Sequence, residues 1–385
     1  MNKRRAVKFI AGILALAMIA AACGDSDGDA TTTEGGGGAG GELASVYFIL
    51  DFIPKGYSAP FYYSLDQGYW AERGLAVTLT RGYGSGDTSV RIGRGEGDIG
   101  FAGVSAVMNT IAEGLPLVEF GPLLHTNPTT VFNLQPNGVT TVDDLVGLDG
   151  ATDLKSEQDA LVRAYLAQQG EEYEAVNWLN MPEAGMPQVQ TGEVDFVMDW
   201  IPNLPEWWQN DLEPDTTLWI GNSLGVYGNG FITRPDWLAE NRDVAQRFLE
   251  GLYQGYLEVI DGGLEAQEAA IDALFKYNPE VAEQPGAREF HLGNLQLMIS
   301  LIVADEGVQE HGIGWWDSEK VDTTLTFIND YLLEEPLELE EAFISPDDQL
   351  TTDGQYAIDD VDAALEAVSV VMGRPNPLTE RVGAE

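Results

Sequence analysis

One group of residues near the start of the folded chain carries side chains suited to holding a flat organic molecule. Asp51, Phe52, Lys55 and Tyr57 follow a short apolar run that is typical of a β-strand. An aromatic ring can stack on a planar ligand, and a carboxylate can accept hydrogen bonds from ring or amino N–H groups. The alternative is structural: Phe52 would then lie in the core and Lys55 in solvent. The functional interpretation predicts a binding site at the end of this strand.

A second group is rich in glycine and lies at the start of a predicted helix. Backbone N–H groups at a helix N-terminus, together with the helix dipole, favour a phosphate, sulfonate or carboxylate. No Gly-Lys-Ser/Thr follows, so this is not a nucleotide-hydrolysing loop. The structural alternative is that Asp87 caps the helix. The candidates in this group are Gly84, Ser85, Gly86, Asp87 and Thr88.

Further candidates follow other predicted strands, because ligands of open α/β sheets lie outside the carboxyl ends of the strands. Trp200 can complete an aromatic sandwich, and Asp199 can pair with ring nitrogens or an amine. Trp200 is equally typical of an ordinary core, and His125 and Asn127 are either hinge or ligand groups. These further candidates are Phe101, Ala102, Ser105, His125, Asn127, Lys155, Ser156, Asp199, Trp200 and Asn203.

Thiol catalysis and structural zinc are excluded by the cysteine and histidine content. Cys23 is the only cysteine, and the three histidines are scattered along the chain. Structural zinc sites need clusters of such ligands at close spacing. We therefore expect no catalytic residue, no metal and no cofactor.

The charge balance restricts the partners. Nineteen Lys and Arg residues stand against 63 Asp and Glu residues, which gives a net charge of −44. Such a surface repels phosphate backbones, so we expect no nucleic acid partner. It also slows the approach of anionic ligands, although salt screens the effect within about 8–10 Å. A neutral or cationic heterocycle is therefore favoured over nitrate or a sulfonate.

The N-terminal segment is typical of an export signal. Basic residues precede an apolar run at 9–22, which ends in small residues directly before Cys23. The run is shorter than the roughly 20 residues that a spanning helix needs, so a permanent membrane span is the weaker interpretation. The junction resembles a bacterial lipoprotein cleavage site, which implies a signal peptide at 1–22 and a lipidated Cys23. Ordinary cleavage that leaves a free thiol is the alternative. Residues 23–43 lack large apolar side chains until their end and are expected to form a flexible tether.

Short apolar runs alternate with helical patterns from residue 46 onward. Repeated β-α-β units with short connections predict mainly parallel sheets flanked by helices. From Asn241 the chain is mostly helical, with apolar residues recurring every four positions. The predicted strands cover 46–50, 76–79, 98–101, 117–124, 151–154, 175–179, 195–198 and 217–220.

Two connecting segments divide these elements into two lobes. Both segments are rich in Pro, Asn or Gly and lie near 126–137 and 225–231. Two lobes joined by two crossings form a cleft, which suits hinge closure on a ligand. The predicted parts are lobe I at 44–126 and 232–385, and lobe II at 127–231.

The order of several short motifs resembles one bacterial family. These motifs are Asp51-Phe52-Ile53-Pro54, Ala59-Pro60-Phe61-Tyr62, Gly84-Ser85-Gly86-Asp87, Gly97-Asp98-Ile99-Gly100-Phe101-Ala102 and Gly192-x-Val194-Asp195. They are similar to those of solute-binding proteins that bind thiamine pyrimidine precursors, riboflavin, aliphatic sulfonates or nitrate. The resemblance implies the two-lobed type II periplasmic-binding-protein fold, with each lobe an α/β layer and a helical C-terminal region.

The resemblance also implies a function and partners. The expected protein is a monomer that binds a small-molecule ligand and delivers it to an ABC permease and its ATPase subunit. Its expected location is outside the cytoplasmic membrane, to which only the lipid on Cys23 attaches it. A heterocycle such as a thiamine pyrimidine precursor or a riboflavin-like compound is the favoured ligand, and sulfonate, taurine or nitrate is the alternative. Related enzymes that make the thiamine pyrimidine use a Cys-rich motif with His, which disfavours catalysis here.

Overall fold

The computed structural model describes residues 43–136, 138–181 and 185–378. The predicted signal peptide, the lipidation site Cys23 and all of the predicted tether except Leu43 lie outside these residues. Among the described helices, none is both long enough and apolar enough to cross a membrane.

The first sheet contains five strands in the order β2-β1-β3-β9-β4. β1 pairs in parallel with β2 and β3, whereas β9 lies antiparallel between β3 and β4. All residues of β3, β4 and β9 are buried, as expected where helices cover both faces of a sheet. The bounds are β1 Ala44–Ile49, β2 Leu75–Thr80, β3 Ile99–Gly103, β4 Val118–Pro122 and β9 Asn229–Thr233.

The second sheet contains four strands in the order β5-β8-β6-β7. β6 pairs in parallel with β7 and β8, and β5 lies antiparallel to β8 at one edge. The bounds are β5 Thr129–Asn133, β6 Asp149–Thr152, β7 Asn177–Asn180 and β8 Phe196–Trp200. A short hairpin, β10 Val370–Val371 and β11 Arg374–Pro375, lies near the end of the described chain.

Helices surround both sheets, and the C-terminal part is helical as predicted. α10 and α11 pack against α1, which covers the first sheet. The helices up to the last strand of the first sheet are α1 Ala59–Gln67, α2 Tyr69–Glu72, α3 Ser85–Gly93, α4 Val104–Ala112, α5 Glu157–Gln169, α6 Met186–Thr191, α7 Leu204–Trp208 and α8 Ile220–Leu224. Those after it are α9 Pro235–Glu240, α10 Arg242–Asp261, α11 Gly263–Tyr277, α12 Pro279–Ala282, α13 Ala287–Val303, α14 Glu306–His311, α15 Ser318–Tyr331, α16 Leu339–Ala342 and α17 Val361–Ala367.

Two strands of the large sheets and both strands of the short hairpin are missing from the sequence prediction, and one predicted strand is wrong. β5 and β9 lie where the sequence predicts connecting segments, because their Thr, Asn and Gly residues are typical of turns. The predicted strand at 217–220 is an irregular segment beside β5, and helix α8 begins at Ile220. The first sheet thus includes residues 229–231, which the sequence assigns to lobe II. The lobe boundaries themselves stay predictions.

Helix α13 connects the loops of the two sheets. It packs against a 3₁₀ turn at Gly56–Ser58 after β1 and against another at Ile201–Asn203 after β8. The approach to the first turn needs glycine, since a Cβ on Gly56 would lie 1.7 Å from the carbonyl oxygen of His291. The C-terminal helices therefore help to enclose the space between the sheets.

Candidate functional site

A cavity of about 520 Å³ lies between the loops that follow the strands of the two sheets. Its position agrees with the rule that ligands of open α/β sheets lie outside the carboxyl ends of the strands. Its volume is within the range of small-molecule sites. Ten of the sequence-predicted residues line it: Asp51, Phe52, Lys55, Tyr57, Gly84, Ser85, Ser156, Asp199, Trp200 and Asn203.

The wall from the first sheet is a closed hydrogen-bond network around Asp51. Tyr57 Oη donates to Asp51 Oδ1 at 2.9 Å, and Asn229 Nδ2 donates to Asp51 Oδ2 at 3.1 Å. Burial raises the pKa of Asp51 to about 7, although the hydrogen bond from Tyr57 opposes this shift. Burial also raises the pKa of Tyr57 well above its ordinary value. Both oxygens of Asp51 are thus engaged by the chain itself.

The wall from the second sheet leaves polar atoms unpaired. Trp200 packs on Tyr57 with ring centroids 5.4 Å apart, so no ligand ring fits between these two side chains. Within the described ranges, neither the buried Trp200 Nε1 nor the buried Thr152 Oγ1 has a hydrogen-bond partner. Buried polar atoms are normally paired, so each of these two atoms needs a partner that the described chain does not supply.

Asp199 stands on the same wall and is only partly engaged. Its Oδ1 accepts from the backbone N–H of Trp200 and from Asn203 Nδ2, both at 2.7 Å. Burial raises the pKa of Asp199, and the positive charge of Lys55 opposes this shift. Asp199 therefore presents a carboxyl group at the cavity whose position is held by two hydrogen bonds.

A third wall comes from helix α13 and the segment before it, and the sequence reasoning missed it. Phe290 and His291 line the cavity from this side. Burial lowers the pKa of His291 to about 4, so its imidazole is neutral near pH 7. The strand-end rule could not find these residues, because they lie at the start of a helix far along the chain. The adjacent aromatic pair was the one available signal.

Lys55 and Asn294 tie the three walls together. Lys55 Nζ donates to Asn203 Oδ1 at 3.1 Å, which links the loop after β1 to the loop after β8. Asn294 of α13 accepts from the Tyr57 backbone N–H at 2.6 Å and donates to the Pro202 carbonyl oxygen at 2.8 Å. One side chain of α13 thus contacts both loops.

A second contact between the two sheets' elements lies behind the cavity, at Glu157. Its Oε2 accepts from the Ala106 backbone N–H at 2.9 Å, and its Oε1 accepts from Asn127 Nδ2 at 2.8 Å. Burial raises the pKa of Glu157 to about 7, although these hydrogen bonds oppose the shift. The candidate Asn127 therefore holds a crossing segment to helix α5.

The candidate His125 also lies at this crossing. Its Nδ1 is 3.5 Å from Asp305 Oδ1, and both side chains are buried. Burial would raise the pKa of Asp305, but the neighbouring His125 and Lys320 hold it well below its ordinary value. Neither His125 nor Asn127 lines the cavity.

The other predicted residues lie elsewhere. Phe101 and Ala102 belong to the core of the first sheet, and Ser105 is buried in α4. Thr88 is buried and donates from Oγ1 to the Leu50 carbonyl oxygen at 2.7 Å. A separate recess contains the three remaining candidates, Gly86, Asp87 and Lys155.

The N-terminus of α3 reaches the cavity, but the chain itself covers this end. A Cβ on Gly84 would lie 3.3 Å from Asp153 Oδ2, and one on Gly86 would lie 2.4 Å from the Lys155 carbonyl oxygen. The loop after β6 therefore lies against the start of this helix, with Asp153 beside Gly84 and the Lys155 carbonyl group beside Gly86.

Comparison with curated proteins shows local similarity to enzymes. The chain is 30% identical over 105 residues to the 4-amino-5-hydroxymethyl-2-methylpyrimidine phosphate synthase of Aspergillus parasiticus. A synthase of that name from Legionella pneumophila is 26% identical over 105 residues. These matches cover 27% and 26% of this chain and 30% and 32% of the two relatives, so the chain spans about a third of their length.

Solved structures share the fold over most of the chain. The periplasmic aliphatic sulphonate binding protein SsuA from Escherichia coli is 14% identical with a TM-score of 0.57, over 77% of this chain and 96% of that one. The periplasmic nitrate-binding protein NrtA from Synechocystis PCC 6803 is 15% identical with a TM-score of 0.56, over 86% of this chain and 99% of that one. This similarity confirms the fold of periplasmic binding proteins that the sequence predicted.

A family model supplies the closer assignment. The model described as NMT1/THI5 like matches residues 55–266, which is more than half of the chain. This range contains all of the second sheet and most of the cavity's strand-end loops. The chain belongs to the NMT1/THI5-like family.

Proposed function

We propose that this protein is the extracytoplasmic solute-binding component of an ABC importer, and that it binds a small planar heterocycle in the cavity between its two sheets. A thiamine pyrimidine precursor or a riboflavin-like compound fits this description. The observation that carries the proposal is the unpaired Trp200 Nε1 in a cavity with aromatic walls. A ligand with a hydrogen-bond acceptor at its edge would satisfy this indole N–H.

The half-buried aromatic rings provide the faces for stacking. Phe52 lies on the loop after β1, and Phe290 lies on the wall formed by α13. All four aromatic side chains line the cavity, but Tyr57 and Trp200 are buried against each other. Stacking between offset rings contributes about 0.5–1.5 kcal/mol beyond the burial of area. We therefore assign stacking to Phe52 and Phe290, and hydrogen bonding to Trp200.

The alternative ligand, a small anion, is disfavoured by the charges around the cavity. Asp153 lies beside Gly84 at the start of helix α3, where a negative charge repels an anionic ligand. Lys55 is the only Lys or Arg among the described lining residues, and it already donates to Asn203. Sulfonate and nitrate need several donors directed at one point, and the described walls lack such a cluster.

Catalysis is the alternative of another class, and the matched synthases are the reason to consider it. The chain aligns with only 105 of their residues, and its single cysteine, Cys23, precedes the matched family region. Asp51 accepts one hydrogen bond on each oxygen from donors of the chain itself, so the fold alone accounts for its position. We therefore propose binding without a chemical step.

Location and partners follow from the same proposal. Residues 1–22 direct export, Cys23 carries the lipid, and residues 23–43 link the anchor to the folded part. A monomer that closes on its ligand would then meet the permease and ATPase subunits at the membrane. Labelling with a radioactive or clickable fatty acid in a bacterial host, with Cys23→Ala as the control, tests the anchor.

A thermal-shift screen tests the ligand. The chain without residues 1–22 is heated with pyrimidine precursors, thiamine, riboflavin, taurine, alkanesulfonates and nitrate in turn. A ligand at one hundred times its Kd stabilises the folded chain by about 2.7 kcal/mol, which gives a measurable rise in Tm. We expect the rise with a heterocycle. A rise with sulfonate, taurine or nitrate alone would contradict the proposal, and so would the absence of any rise.

A further inference from the structure

The cavity walls carry an excess of acidic groups. Four carboxyl groups and one ammonium group line it within the described ranges. His291 adds no charge, because burial lowers its pKa to about 4. The charged lining residues are Asp51, Asp153, Asp199, Glu206 and Lys55.

One of these carboxyl groups is already paired within the chain, since Asp51 accepts from Tyr57 and Asn229 on its two oxygens. Asp153 lies apart from the others, close to Gly84 at the start of α3, and burial together with the charge of Asp159 raises its pKa. Asp199 and Glu206 remain, and they belong to neighbouring segments, since one lies in β8 and the other in α7.

Asp199 and Glu206 share Lys55 as the one cation among the described residues that line the cavity. Burial raises the pKa of Asp199, the charge of Lys55 lowers it, and the charge of Glu206 raises it by a smaller amount. Lys55 itself donates to Asn203 Oδ1 and not to either carboxylate. Neither carboxylate forms an ion pair within 4.0 Å with a Lys, Arg or His of the described chain. Like charges at a partly buried site are costly unless a cation neutralises them.

An independent observation on this wall concerns the indole N–H of Trp200. Trp200 is directly bonded to Asp199 in the chain, and it is 6% exposed with an Nε1 that has no acceptor in the described residues. The aromatic rings of Phe52 and Phe290 also line the cavity. A cation near an aromatic face gains cation–π attraction in addition to its attraction to carboxylates.

We propose that the ligand of this cavity carries a positive charge and that Asp199 and Glu206 receive it, while Trp200 donates to an acceptor elsewhere on the ligand. This inference rests on the proposed binding function and narrows it to one charge class. A cationic or protonated nitrogen heterocycle with a carbonyl or ring acceptor has the required chemistry. Neutral rings would leave the two carboxylates without compensation.

Three compounds of nearly the same shape and different charge separate the possibilities. Nicotinate is an anion, nicotinamide is neutral and 1-methylnicotinamide is a cation. Each is titrated into the chain without residues 1–22 by calorimetry at pH 7 and low salt. We expect 1-methylnicotinamide to bind about tenfold more tightly than nicotinamide, because hydrogen bonds and contacts to charged groups are the stronger ones. Nicotinate is expected to bind most weakly.

Variants assign the preference to the two carboxylates. Asp199→Asn keeps an oxygen that can accept from the Trp200 N–H and from Asn203, so the fold of the loop is preserved. It should reduce the binding of the cation about tenfold and change the binding of nicotinamide less than about twofold. Glu206→Gln should also reduce the binding of the cation, but by a smaller factor. The matched control Asp322→Asn removes an equal charge from an exposed position of α15. It should change the affinity for neither 1-methylnicotinamide nor nicotinamide.

The outcomes distinguish this inference from the proposed function. Equal binding of nicotinamide and 1-methylnicotinamide, or a preference that survives both variants, overturns the charge assignment and leaves heterocycle binding intact. If none of the three binds while riboflavin or a neutral pyrimidine does, the charge assignment is again overturned alone. Binding of nicotinate, sulfonate or nitrate only, or of nothing at all, overturns both.

Discussion

The two sheets contribute walls of different character to the same cavity. On the first wall, Asp51 has both oxygens paired with Tyr57 and Asn229, so the polar groups hold one another. On the second wall, Trp200 and Thr152 each keep a buried polar atom without a partner in the described chain. The unpaired atom of the first network, Asn229 Oδ1, belongs to a residue that does not line the cavity, whereas the unpaired atoms of the second wall belong to lining residues. The presence or absence of a hydrogen-bond partner within the chain can thus separate the polar groups that stabilise the fold from those proposed to bind a ligand.

The largest expected effect is on the free energy of unfolding, from a substitution in the wall of the first sheet. Asp51→Ala should lower the free energy of unfolding by about 3 kcal/mol, because the Tyr57 hydroxyl and the Asn229 amide each lose a buried acceptor. Urea unfolding of the chain without residues 1–22, followed by circular dichroism, measures the change. A loss below about 1 kcal/mol would mean that the network is not structural and would remove the contrast between the walls.

The same network predicts a dependence of stability on pH. The pKa of Asp51 is about 7 in the folded chain and 3.8 without the influence of the fold. The folded state therefore binds more protons than the unfolded state between these values, and its stability falls as pH rises. Between pH 5 and pH 7 the loss from Asp51 is about 2 kcal/mol.

Comparison of variants isolates this contribution. Asp51→Asn cannot titrate, so its urea midpoint should fall less between pH 5 and pH 7 than that of the parent chain. Glu157 has a raised pKa of about 7 as well, so Glu157→Gln should flatten the profile in the same pH window. Parallel profiles for the parent and Asp51→Asn would show that Asp51 is ionised at pH 5.

The difference between the walls also marks the limit of prediction from sequence. The strand-end rule found eight of the ten lining residues, because parallel strands carry recognisable apolar runs and meet at one edge of a sheet. The glycine-rich helix start supplied the other two, Gly84 and Ser85. The strand-end rule could not find Asn229, whose strand β9 contains Asn, Gly and Thr and is antiparallel to both neighbours. It could not find Phe290 either, since α13 is brought to the cavity by its packing on Gly56 and on the turn after β8.

Pairing of polar groups was likewise invisible in the sequence. Asp51 and Asp199 both follow strands and had the same predicted role. Their partners are Asn229 and Asn203, which lie 178 and 4 positions away in the chain. A pattern of residue types identifies carboxylates at the cleft, but only the fold shows which of them is already satisfied.

On the wall from the second sheet, Trp200→Phe should affect ligand affinity more than the free energy of unfolding. The phenyl ring can keep its contact with Tyr57, and the unpaired N–H is removed. We expect the free energy of unfolding to change by less than about 1 kcal/mol. Affinity for the compound that stabilises the parent chain most should fall about fivefold. Loss of stability without loss of affinity would place Trp200 in the core alone.

The smallest expected effect comes from a matched pair of buried threonines. Thr152 Oγ1 has no partner in the described chain, whereas Thr88 Oγ1 donates to the Leu50 carbonyl oxygen at 2.7 Å. Valine has nearly the shape of threonine but lacks the hydroxyl group. Thr88→Val should therefore cost about 1–2 kcal/mol, and Thr152→Val should cost nothing or stabilise slightly, because removing an unpaired buried polar atom is favourable.

Ligand affinity should show the opposite order for these two variants. Thr152→Val removes a group available to the ligand and should weaken binding about threefold, whereas Thr88→Val should leave it unchanged. Urea unfolding gives the free energy of unfolding of each variant, and calorimetry gives the ligand affinity of each. If Thr152→Val is as destabilising as Thr88→Val, the hydroxyl of Thr152 stabilises the fold, and the contrast between the two walls is lost. If it changes affinity alone, the hydroxyl is held unpaired for the ligand.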